Sequence, residues 1–92
     1  MAADVRLARV ARILHLAPPG PTAADARAAI AARTGEVAGA LFAEAADNDD
    51  VTSTEAALDY LESRLSEFGD LVSPDAADRI RVAFRERLKA WE

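Results

Sequence analysis

The sequence predicts an all-α protein, an antiparallel bundle of four helices. Apolar residues recur at three- and four-residue spacing along most of the chain, and no stretch alternates as a strand would. Alanine, the strongest helix former, supplies about a quarter of the 92 residues. Clusters of proline, glycine and Asx residues then cut the chain into segments of helical length. Residues 1–92 are too few for two cores and read as a single helical domain.

The first helix is expected over about residues 3–16. Leu7, Val10 and Leu14 share one face, while Val5, Ile13 and Leu16 lie elsewhere among Arg6, Arg9 and Arg12. A helix apolar on nearly every side is normally buried on most sides. Val5, Arg6, Arg9, Arg12, Ile13 and Leu16 are therefore a candidate surface for a second protein or a second copy. His15 is placed to cap terminal carbonyls and to favour the helix dipole. The arginines interrupt any signal-peptide core, and Asp4 with the proline stop argues for a structural helix over a transit peptide.

Prolines at 18, 19 and 21 around Gly20 make a rigid linker over 18–21. Thr22 followed by Asp25 reads as an N-cap with its acid, opening a second helix over about 23–46 with the stripe Ile30, Val37 and Leu41. A further stripe of Ala24, Ala28, Ala31, Gly35, Gly39 and Ala43 would let another helix approach closely. Each interior glycine costs about 1 kcal/mol relative to alanine. The helix is expected to be continuous; a break at Thr34-Gly35 would raise the count to five.

The run Asp47-Asn48-Asp49-Asp50 favours a turn over a helix interior. Asp47 and Asp49 imitate two positions of a calcium loop, but Val51, Thr52 and Leu58 stand where a ligand, a glycine and a glutamate are needed. Thr52 with Glu55 predicts a capping box for a third helix over about 53–68, stopped at Gly69. Ser73, Pro74 and Asp75 supply cap, first-turn proline and acidic first turn for a fourth over about 74–91.

The third helix carries Glu55, Asp59 and Glu62 beside its apolar seam, and the fourth carries Arg81, Arg85 and Lys89 beside its own. Residues three or four apart share a helix face. An antiparallel hairpin turning between Gly69 and Pro74 would place Glu55 near Lys89, Asp59 near Arg85 and Glu62 near Arg81. The same stripes could instead pair between two chains. Trp91 either closes the end of the core or anchors an interface.

Composition narrows the chemistry. There is no cysteine and only one histidine, which excludes disulfides, thiolate catalysis and a histidine metal cluster. No catalytic, cofactor-binding or metal-binding residues are expected, since the opposing bases would hold Asp59 and Glu62 ionised rather than poised for acid–base work. The formal charge of −5 opposes binding of nucleic acid. No segment is long and apolar enough for a membrane span. The expected protein is cytoplasmic and not an enzyme: a protein–protein interaction module of adaptor, regulatory or assembly type, self-associating as a homodimer or meeting a heterologous protein. The alternative is an acidic inhibitor or immunity-type protein whose Glu44, Asp47, Asp49, Asp50 and Asp59 cover a basic partner such as a nuclease.

Overall fold

The structure is a computed structural model that describes residues 5–16 and 21–91. Residues 18–20 of the expected linker over 18–21, the start of the first helix before Val5 and the terminal Glu92 lie outside the described residues. Five α-helices, and no strand, occur among the described residues: α1 (Val5–Leu14), α2 (Ala23–Ala32), α3 (Thr34–Ala46), α4 (Thr54–Phe68) and α5 (Pro74–Trp91). A 3-10 turn, Gly69–Leu71, joins α4 to α5.

The helix expected to run unbroken over 23–46 is two helices. Arg33 separates them with φ −129° and ψ 45°, outside the helical region. Its N–H still donates to the Ala29 and Ile30 carbonyls, and its own carbonyl accepts from Val37. One residue thus ends α2 and starts α3, and the Arg33–Glu36 ion pair spans the joint. A straight helix of that length would run about 36 Å in one direction. The bend instead lets α2 pack on α1 and the 3-10 turn while α3 lies along α5.

Local signals fix most other boundaries. Thr22 and Asp25 form a reciprocal capping box on α2. The Ser73 hydroxyl accepts from the Ala76 N–H at 3.1 Å, with Pro74 as the first residue of α5. The cap of α4 is one residue later than expected: Ser53, not Thr52, accepts from Ala56 N–H at 3.1 Å, so Glu55 is not a capping-box partner of Thr52. Between α3 and α4, the Asn48 side chain accepts from the Asp50 N–H at 2.9 Å, an Asx turn.

The α1 end also differs from expectation. His15 takes a left-handed φ of 56°, and the Leu16 N–H donates back to the Ala11 carbonyl at 2.8 Å. This bond from the residue beyond a left-handed C′ position is a Schellman closure, normally built on glycine. The backbone at His15, rather than its exposed imidazole, therefore ends the helix.

The core draws on every helix. Phe68, Phe84, Leu14, Ile30, Leu41, Leu61, Leu71, Ile80 and Val37 are fully buried. Val10, Ile13, Leu14, Ile30, Val37 and Phe68 meet with no room for a water molecule, which joins α1 and α2 to the α3–α4–α5 unit. Along α3 and α5, Thr34 lies by Ala83, Gly39 by Arg87 and Phe42 by Trp91, so these two helices run side by side in the same direction. Of the small-residue stripe, Gly39 lies against α5, under the Arg87 side chain, and the rest does not mediate that packing. Ala24, Ala28, Ala31, Gly35 and Ala43 are exposed, and the buried alanines are Ala26, Ala38, Ala45, Ala57 and Ala76.

Candidate interaction surface

The expected α1 surface is largely used internally. Val10 and Leu14 are buried, and Ile13 and Leu16 are partly buried against the core. Arg6 reaches the end of α4, where its Nη1 donates to the Phe68 carbonyl at 3.1 Å and to Asp70 at 3.0 Å. A cation there satisfies an orphan carbonyl and meets the negative end of the helix dipole. Arg9 is ion-paired with Glu44 of α3. Of the six residues, Val5 and Arg12 remain exposed, Val5 at 78%.

Around Arg9 lies a polar cluster that the sequence did not single out. The Tyr60 hydroxyl donates to Glu44 Oε1 at 3.0 Å, and the Arg64 guanidinium lies 5.0 Å from the Tyr60 ring centre. Burial first, and then the hydrogen bond to Glu44, push the Tyr60 phenol above its ordinary pKa. The cluster ties α1, α3 and α4 together. Its legible trace was the Tyr60/Arg64 spacing of four on one helix face.

The α4–α5 stripes meet at one rung of the expected three. Arg81 donates to Glu62 through Nε at 2.8 Å and Nη2 at 2.9 Å, and also reaches Asp78 at 3.0 Å. The double hydrogen bond lowers the pKa of Glu62 and raises that of Arg81, with Arg85 adding to the field on Glu62. Neither Asp59–Arg85 nor Glu55–Lys89 forms an ion pair; Lys89 instead lies 3.4 Å from Glu86 on its own helix. The hairpin is pinned at its turn, and the rungs farther from the turn stay open. Glu55, Asp59, Arg85 and Lys89 are all exposed.

Trp91 does not close the core. It is 44% exposed and packs edge-on against Phe42 at 5.9 Å, while Phe42 makes a second edge contact at 5.7 Å with buried Phe84. Val82 is 59% exposed on the outer side of α5. It shares a face with Arg85 and Lys89, three and seven residues on. At the opposite end of α4 from its turn, Asp47, Asp49 and Asp50 are exposed and make no ion pair among the described residues.

Among the described residues, no group of three or more His, Asp or Glu side chains is arranged to hold a metal, and no helix is long and apolar enough to cross a membrane. No protein-family model, curated protein or solved structure matches the chain.

Proposed function

We propose that the chain is a non-catalytic protein-recognition domain of adaptor, regulatory or assembly type, working in the cytoplasm. The observation that carries this reading is a pair of exposed apolar side chains on α5, Val82 on its outer side and Trp91 on its last turn beside Phe42. Val82 and Trp91 are large apolar side chains left 59% and 44% exposed on a helix whose Arg85 has no ion-pair partner among the described residues. Apolar anchors ringed by charge are what a protein partner covers, and tryptophan is enriched where binding energy concentrates. The α4–α5 hairpin is the part of the predicted antiparallel bundle that presents Val82, and the α3–α5 pair presents Trp91.

A second reading, an inhibitor of a basic protein, is favoured by the acidic end of the molecule. Asp47, Asp49, Asp50, Glu55 and Asp59 are exposed without ion-pair partners among the described residues. Glu44 drops out of that surface, because Arg9 and Tyr60 occupy it.

Partner recovery with the full chain as bait tests both readings. Under the first, the double variant Val82→Ser/Trp91→Ser loses a protein that the wild type retains, while helical circular dichroism shows that the variant, though less stable for want of the Trp91–Phe42 contact, is still folded at the assay temperature. Under the second, Asp49→Lys/Asp50→Lys loses it instead. Recovery unaffected by either pair of substitutions, or no recovered protein, overturns the proposal.

A further inference from the structure

We infer that the open rungs of the α4–α5 hairpin close between two copies of this chain, giving a two-fold symmetric dimer; this rests on the recognition reading above. The starting point is the fixed rung, where Glu62 and Arg81 face each other across the hairpin at 2.8 and 2.9 Å. Asp59 and Glu55 continue from Glu62 along α4, and Arg85 and Lys89 continue from Arg81 along α5, at steps of three or four residues. All four side chains therefore lie on the side of the hairpin that the rung marks.

Height along the hairpin also matches. At about 1.5 Å per residue, Asp59 stands about 4.5 Å from the fixed rung and Arg85 about 6 Å, while Glu55 and Lys89 stand about 10.5 and 12 Å from it. The acids and bases nonetheless make no ion pair across the hairpin within one molecule. One exposed side thus carries an acidic column on α4 and a basic column on α5, in register and unpaired with each other. Lys89 has only the exposed Glu86 of its own helix at 3.4 Å, a weak surface contact that a second copy's Glu55 can replace.

A second copy of the same chain complements this arrangement. A two-fold axis running along the hairpin lays α4 of one molecule over α5 of the other without changing height. Each Asp59 then meets an Arg85 and each Glu55 a Lys89, twice over, as an isologous interface requires. Val82, 59% exposed one turn before Arg85 on the same face of α5, adds apolar area beside the charges. A heterologous partner would need its own matching columns; a second copy already has them.

The test uses charge-swapped full-length chains and sedimentation equilibrium up to about millimolar concentration. Wild type is expected to move with concentration from the 9.8 kDa chain mass towards twice that value. Glu55→Lys/Asp59→Lys makes the acidic column basic, and Arg85→Glu/Lys89→Glu makes the basic column acidic. Each variant alone should associate at least about tenfold more weakly than wild type. Their equimolar mixture should regain the doubled mass, because the two altered faces complement each other. Helical circular dichroism checks that both variants are folded, and all four substitutions are at exposed positions. A wild type that stays monomeric throughout, variants that dimerise like wild type, or a mixture that stays monomeric overturns the dimer. Partner recovery with Val82→Ser/Trp91→Ser reads the broader proposal independently, so a monomeric chain that still binds a heterologous protein through those side chains would sink only this inference.

Discussion

Glu62 receives two parallel hydrogen bonds from Arg81, at 2.8 and 2.9 Å, across the turn that joins α4 to α5. A forked guanidinium–carboxylate contact is stronger than a single-point pair and fixes geometry as well as charge. With about half of the Glu62 side chain exposed, screening holds the stabilisation to about 0.5–1 kcal/mol. The pair lowers the Glu62 pKa, so this stabilisation is fully present above the unfolded value of about 4.3 and disappears as pH falls through the folded value. Urea unfolding should show Glu62→Gln less stable than wild type at neutral pH. The two should converge in acid, and a gap that persists there would contradict the pairing.

Two glycines on α3 should respond differently to substitution. A Cβ at Gly35 meets nothing within 4 Å, so Gly35→Ala should raise stability by about 0.4–1 kcal/mol through the unfolded chain. At Gly39 the same Cβ would lie 2.8 Å from Arg87 Nη2. The flexible tip of Arg87 must then move off the helix, and Gly39→Ala should gain less than Gly35→Ala. Paired thermal melts compare them directly.

His15 occupies a left-handed backbone position that glycine adopts without a Cβ penalty. His15→Gly should stabilise the protein by about 1 kcal/mol, and His15→Val, which is β-branched, should destabilise it by a similar or larger amount. Gly69, also at φ 56°, supplies the opposite control. Gly69→Ala should be destabilising, since ψ of −125° there is open to glycine and strained for other residues.

Tyr60 is the single tyrosine, so its ultraviolet titration reports one site. Burial and the Glu44 hydrogen bond favour the neutral phenol, which places its midpoint above the ordinary value of about 10. A raised acid pKa means stability is intact below the unfolded value and falls as pH climbs from there through the folded one. Glu44→Ala should lower the midpoint while leaving the burial contribution in place. A midpoint unmoved by that change would show that the Tyr60–Glu44 bond has no weight.

The helical class was legible because it depends on local patterns: apolar spacing, alanine content, and caps at Thr22 and Ser73 that involve residues three apart. What escaped sequence reading depends on distance in space. Arg33 breaks a plausible helix because α2 and α3 have different packing partners, which no window of the sequence contains. Arg6 and Arg9 looked like a surface since their partners, Phe68, Asp70 and Glu44, are remote in the chain. The charge stripes predicted a rung at Glu62–Arg81, but spacing along two helices cannot give the separation between them, and the outer rungs did not close.

The T-shaped contact of Trp91 with Phe42 places the only tryptophan on the final turn of α5. Helix ends open more readily than helix middles. Indole emission will thus report fraying of the C-terminal turn before the remaining helices melt. A heating curve followed by fluorescence should begin its transition at lower temperature than one followed by far-ultraviolet circular dichroism, and a ligand seated on that turn should draw the two curves together.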